Sequence, residues 1–182
     1  MEPTQQSGGG LPSMPKGAWE TAEPAQIEGE PVAYASWGAR VGAYLLDGLL
    51  MAIPYVLGII FIIVGAAAED DGRDGGTFYV LGVLLIIASV VVPFIYFPIL
   101  NGNERGQTLG KRVTNIRVRR SNGTPLGVGR GLGRYSITFL FGLLTVLLIG
   151  FVLLLLDDLW PLWDSRNQAL HDKVVDSIVV KA

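Results

Sequence analysis

Three long apolar runs constrain this chain more than any other feature. The first covers residues 41–68 between Arg40 and Glu69, with Asp47 as its only charge; the second covers 77–100 with none; the third covers 132–156 and is uncharged beyond Arg134. At about 1.5 Å per helical residue, each is long enough for the roughly 30 Å hydrocarbon core of a bilayer. Buried helices of a soluble domain are the competing explanation. Three such runs in 182 residues, with a 50% hydrophobic composition and a positive mean hydropathy, argue against it. The expected fold is therefore an all-α membrane protein with three hydrophobic segments.

Pro54 is expected to kink the first segment, and Pro93 and Pro98 fall late in the second. Leu132 to Trp163 is longer than one span and shorter than two. Gly142 and Gly150 allow it to fold either as a tilted third span or as a broken, re-entrant hairpin.

The distribution of charge sets an orientation, because short loops rich in Lys and Arg stay in the cytoplasm. The connection after the first run, EDDGRDGG, holds one arginine among four acids. The loop 101–131 carries Arg105, Lys111, Arg112, Arg117, Arg119 and Arg120 against the lone Glu104, with Arg130 and Arg134 following. The loop is assigned to the cytoplasm, where it faces anionic headgroups, the acidic connection to the outside and the N-terminus to the cytoplasm of a multi-pass protein of the cell membrane.

Residues 1–33 hold five of the ten prolines and few large apolar side chains, so they are expected to form a disordered cytoplasmic tail. An acidic start with no apolar stretch behind it does not fit a secretory signal. The transmembrane domain is then 34–180. TNIRVRRSNGTPL reads as a strand ending in an Asn-Gly turn, and DSIVVKA as a second short strand. Two such strands gain stability by pairing, which requires one side of the membrane and favours a cytoplasmic C-terminus and a small cytoplasmic β element.

Asp47 is the most informative single residue, since an acid inside such a run costs on the order of 2.5–3.5 kcal/mol on insertion scales. Arg40 lies two turns earlier on the same helix face. Its side chain leans away from Asp47, so each is expected to pair with another element, either the basic loop or the C-terminal segment. Such pairing makes a packing device, with an ion or proton pathway as the alternative. The absence of cysteine removes disulfides and thiolate chemistry, and the single His171 removes any multi-imidazole metal site.

Taken in order, SWGARVGAYLLD with Arg40 and Asp47, GQTLGKR from Gly106 with IRV and NGTPL behind it, and RNQALHD with His171 and Asp172 resemble the RDD family of bacterial membrane proteins. The resemblance covers Tyr34 to Val180. It implies that Arg40 is the family's arginine and that Asp47 and Asp172 are its two aspartates. Asp176 stands where the family has glycine, the residue best suited to a tight turn, while Ser177 keeps the hydroxyl.

Gly106 to Lys111 is one residue short of a phosphate-binding loop, with Arg112 where Ser or Thr would stand, and GVGRGLG lacks the dinucleotide spacing. The glycines are read instead as letting the loop lie against the membrane surface. No nucleotide, nucleic acid, cofactor or metal is expected. His171 and Asp172 are adjacent and expected to point apart, with no nucleophile beside them, so no catalytic residue is assigned. Asp172 is expected to cap a helix or hold Arg40 or a loop arginine. The leading expectation is a non-catalytic membrane module assembling with itself or with other membrane proteins. The alternative is a small cation/proton antiporter, an activity the resemblance implies for some members, using Asp47.

Overall fold

The computed structural model describes residues 25–27 and 30–182. Two helices dominate it: α1 (Trp37–Asp70, 34 residues) and α2 (Gly76–Gly102, 27 residues). Both are long and apolar enough to cross a membrane. Ser36 starts α1 by accepting the Ala39 amide hydrogen on Oγ at 3.3 Å. Gly72, at φ +74°, ends it in the left-handed conformation that only glycine adopts without cost. Pro54 lies within a continuous helix, as do Pro93 and Pro98 in α2.

Small residues bring α1 and α2 together. A Cβ on Gly58 would stand 2.9 Å from the Gly82 carbonyl oxygen, and one on Gly82 would stand 2.8 Å from that of Gly58. This backbone-to-backbone approach is the packing that helices use in lipid, where no hydrophobic force draws them together. Leu49, Ile53, Ile63, Leu84 and Ile87 are exposed on the outer face of the pair.

The third apolar run is not one helix. It forms α4 (Val128–Leu143), a short 3₁₀ turn at Leu144–Leu147, and α5 (Ile149–Leu159). Leu148 takes φ +60° at the break. Gly150 makes the reversal feasible, since a Cβ there would be 2.1 Å from the Thr145 nitrogen. The 16 residues of α4 extend about 24 Å, short of a hydrocarbon core. Edge-on contacts of Phe94 with Tyr135 and Phe139, at 4.9 and 4.8 Å between ring centres, fix α4 on α2.

Because α4 and α5 form a hairpin, the chain returns to the end of the bundle it left. There β3 (Ile116–Arg120) and β4 (Ser177–Lys181) pair antiparallel, Val118 opposite Val179, with the short helices α3 (Leu109–Val113) and α6 (Leu170–Val174) beside them. The other edge of β4 bonds the segment entering α1, through Ala35 N to Val179 O and Lys181 N to Ala33 O, both 2.9 Å. Strand β4 is thus central, and Ile116, Val118, Leu126, Val179, Ala35 and Ala43 make a hydrophobic core. At the Asn-Gly turn, Gly123 at φ +84° donates to Arg120 O at 2.9 Å.

Of the proposed tail 1–33, residues 1–24 and 28–29 lie outside the described residues, but β1 (Ala25–Ile27) and β2 (Glu30–Val32) pair antiparallel. The loss of glycine at 176 does not abolish the turn: Asp176 itself adopts φ +54°, and its Oδ1 accepts from Ser121 Oγ at 2.5 Å. Asp is among the few L-residues that visit this region.

Candidate functional site

The polar end of the bundle is organised around two buried carboxylates on different elements. Asp47, 3% exposed in α1, accepts from Thr108 Oγ at 2.5 Å on Oδ2. Its Oδ1 takes the Gly110 amide hydrogen at 2.8 Å and the Tyr96 hydroxyl at 2.9 Å. Tyr96 in turn accepts the Leu109 amide hydrogen at 2.9 Å. Asp47 therefore fastens the start of α3 to α1 and α2 through neutral donors, not through the basic side chains of the loop. Such bonds to an ionised acceptor are stronger than neutral ones and offset much of the cost of burying the charge.

Gly110 makes this possible, since its Cβ would stand 2.2 Å from the Ala43 carbonyl oxygen and 3.0 Å from Asp47 Cγ. This corrects the expectation that the glycines of GQTLGKR serve contact with the membrane surface. Gly110 is needed for close approach to α1, and Gly106, at φ +64°, for close approach to β3, since a Cβ there would stand 2.2 Å from Val118 O.

Asp172, wholly buried in α6, is the second centre. Arg40 Nη1 donates to Oδ2 at 2.7 Å, and Arg134 Nε to Oδ1 at 2.8 Å. Ser177 Oγ donates to Oδ1 at 2.8 Å and the Ala169 amide to Oδ2 at 3.2 Å, which closes the first turn of α6. One carboxylate thus joins α1, α4, α6 and β4. Burial alone would raise its pKa, but Arg134, His171 and Arg40 together hold it well below the usual carboxylate range.

His171 and Asp172 do not point apart. Asp157, buried at the end of α5, binds His171 Nδ1 at 2.5 Å and accepts its backbone N–H at 2.9 Å. That grip turns the imidazole so that Nε2 lies 3.5 Å from Asp172 Oδ1. Trp37 adds a further tie to α5, donating from Nε1 to Asp158 O at 2.8 Å.

Two of the basic loop residues are not available to headgroups. Lys111 is 9% exposed, and its ammonium donates to the amide oxygen of Asn101 without an ion pair among the described residues. Burial, and then the neighbouring charge of Arg134, press its pKa well below that of an ordinary lysine, against the pull of Asp47 and Asp172. Arg119 is also buried and caps backbone carbonyls, donating to Glu104 O at 2.7 Å. Arg105 and Arg112 are exposed, while Arg117 and Arg120 are partly so.

Sequence reasoning did not assign Tyr96, Thr108, Gly110, Asp157 or Ser177 to this centre. Thr108 and Gly110 stood inside the GQTLGKR motif, and Asp157 marked the end of an apolar run as abruptly as Arg40 marked a beginning. Arg40, Asp47, Lys111, Arg134 and His171 also line a cavity of about 780 Å³, most of whose wall is apolar. Among the described residues, no three His, Cys, Asp or Glu side chains converge as a metal-holding group.

Two long apolar helices, mostly bare of protein, and one polar end locked by buried carboxylates define a small membrane protein. Residues 34–176 match the RDD family, and the chain belongs to it. It is 26% identical over 156 residues to the uncharacterized protein YxaI of Bacillus subtilis (strain 168), covering 80% of this chain and 96% of that protein. It is 27% identical over 161 residues to the proline-rich antigen of Mycobacterium leprae (strain TN), covering 80% of this chain but 60% of the antigen. No solved structure matches it.

Proposed function

We propose that this chain is a multi-pass, non-catalytic module of the cell membrane, with its N-terminus, basic loop and C-terminus in the cytoplasm. Its locked polar end serves as a platform for assembly with further copies or with other membrane proteins. The observation that carries this reading is the saturation of Asp47, whose two oxygens take three protein donors. An acid that binds and releases ions needs open coordination, whereas this one is spent on holding α3. The Asp172 carboxylate is likewise filled, by Arg40, Arg134, Ser177 and the Ala169 amide. The basic loop favours the cytoplasmic assignment, and the pairing of β3 with β4 favours the same side for the C-terminus.

One observation favours the second reading, a cation/proton antiporter: Asp47 shares a cavity wall with the buried Lys111. Proteoliposomes containing the purified chain separate the two. The module reading expects no sodium- or potassium-driven proton movement at any pH tested. Flux that disappears in Asp47→Asn, in a variant that remains folded, would overturn it. Crosslinking in native membranes then reports whether a partner or a second copy lies alongside.

A further inference from the structure

The cavity at the polar end combines features that the module reading does not use. Its volume of about 780 Å³ falls within the range of ligand sites. Tyr44, Met51, Phe97, Tyr135, Phe139 and Leu155 give it walls drawn from α1, α2, α4 and α5. Lys111, Arg40 and Arg134 line it too. The carboxylates nearby leave these cations incompletely matched. Asp172 is divided between two arginines, Asp47 is filled by neutral donors, and among the described residues Lys111 has only the Asn101 amide. Arg40 keeps Nε and Nη2 without a partner. Asp158 also lies on the cavity wall, partly exposed.

A buried ammonium without a counter-ion among the described residues is costly, and so is apolar wall left in contact with water. One kind of molecule offsets both costs. We propose that the cavity is a discrete site for one anionic phospholipid, its acyl chain lying against the aromatic and aliphatic walls and its phosphate reaching Lys111, with Arg40 and Arg134 beside it. The inference rests on the chain being embedded in a membrane. It differs from general attraction of a basic loop to headgroups, because the charges that matter are buried and the exposed arginines are not involved. A free phosphate would satisfy Lys111 but leave the walls bare, and a zwitterionic lipid would bring its own cation to a site already rich in them.

The test is native mass spectrometry of the full chain, purified in nonionic detergent and offered equal amounts of phosphatidylglycerol and phosphatidylcholine. One phosphatidylglycerol per chain is expected to remain bound. Lys111→Gln should lower its retention roughly tenfold, the effect of losing one charged hydrogen bond. Thr138→Phe, which fills the cavity and leaves every cation in place, should lower it as well. Arg130→Gln, exposed in the first turn of α4 and not part of the cavity wall, should retain lipid as the wild type does. Equal retention of the two lipids, or wild-type retention by Lys111→Gln and Thr138→Phe chains of native circular dichroism, would overturn the proposal. So would displacement of the lipid by inorganic phosphate. Recovery of the unmodified chain in the soluble fraction of lysed cells would defeat the membrane reading itself, independently of any lipid result.

Discussion

Gly110 donates its amide hydrogen to Asp47 Oδ1 at 2.8 Å, and a Cβ at Gly110 would come within 2.2 Å of the Ala43 carbonyl oxygen. The carboxylate and the missing side chain are two halves of one contact, which seats α3 on α1. Gly110→Ala would force the helices apart and weaken the bonds to Asp47. Overpacking of about 1–3 kcal/mol is expected, with a comparable loss from the stretched charged hydrogen bond. The variant should unfold at a clearly lower temperature in detergent, and trypsin should cut the loop 101–131 sooner. Gly129→Ala, where a Cβ meets nothing within 4 Å, is the control and should behave as wild type.

Asp172→Asn leaves Arg40 and Arg134 buried with no carboxylate, and breaking a buried pair in this way costs about 3–5 kcal/mol. Loss of membrane assembly or of protease resistance is the expected result. In a double-mutant cycle, Arg40→Gln and Asp172→Asn together should cost well under the sum of the two alone. Additive costs would mean that the ion pair contributes nothing. The pH dependence has a definite sign. The folded pKa of Asp172 is depressed, so its contribution is complete above the ordinary carboxylate range and is lost only as pH falls well below it. Between neutral pH and pH 5 that contribution is fully present, so thermal stability should show no pH dependence from this residue.

The membrane character was legible because helix length and lipid thickness are both fixed quantities, and runs 41–68 and 77–100 satisfy them. The third run was ambiguous because composition does not reveal a break at a leucine: nothing in Leu147–Leu148–Ile149 marks the left-handed Leu148. The strand pair showed itself through alternation and the Asn-Gly turn. Arg40, Asp47 and Asp172 stood out as charges in improbable places. Their neutral partners did not, since a tyrosine in an apolar helix or a threonine in a loop has no distinguishing signal until the fold brings Tyr96 and Thr108 onto one carboxylate. Lys111 and Arg119 were read as surface charges because the sequence does not say which basic residues of a loop fold inward.

Lys111 predicts a pH dependence of the same sign in a more alkaline range. Its folded pKa lies well below its unfolded value, so between the two the unfolded chain binds more protons and stability rises with pH. Melting temperatures in nonionic detergent free of anionic lipid should climb from neutral pH toward pH 10 and flatten in Lys111→Met. A wild-type curve that falls over this range would contradict the buried, unpaired state of the ammonium.

The hairpin formed by α4 and α5 predicts a specific topology, and a chain without cysteine is well suited to testing it. Single cysteines at Arg73, Ser121, Leu148 and Lys181 are probed with a membrane-impermeant maleimide on intact cells and on inverted vesicles. Arg73→Cys, between α1 and α2, should label from outside. Ser121→Cys, at the β3 turn, and Lys181→Cys, at the end of β4, should label only from the cytoplasmic side. Leu148→Cys should label from neither side, because α4 is too short to carry the tip through the bilayer and Leu147, Leu148 and Ile149 present exposed apolar side chains to the lipid. Labelling of Leu148→Cys from outside would make α4 a full span. Labelling of Lys181→Cys from outside is incompatible with Ile116 pairing opposite Lys181, and would dismantle the polar end on which Arg40 and Asp172 meet.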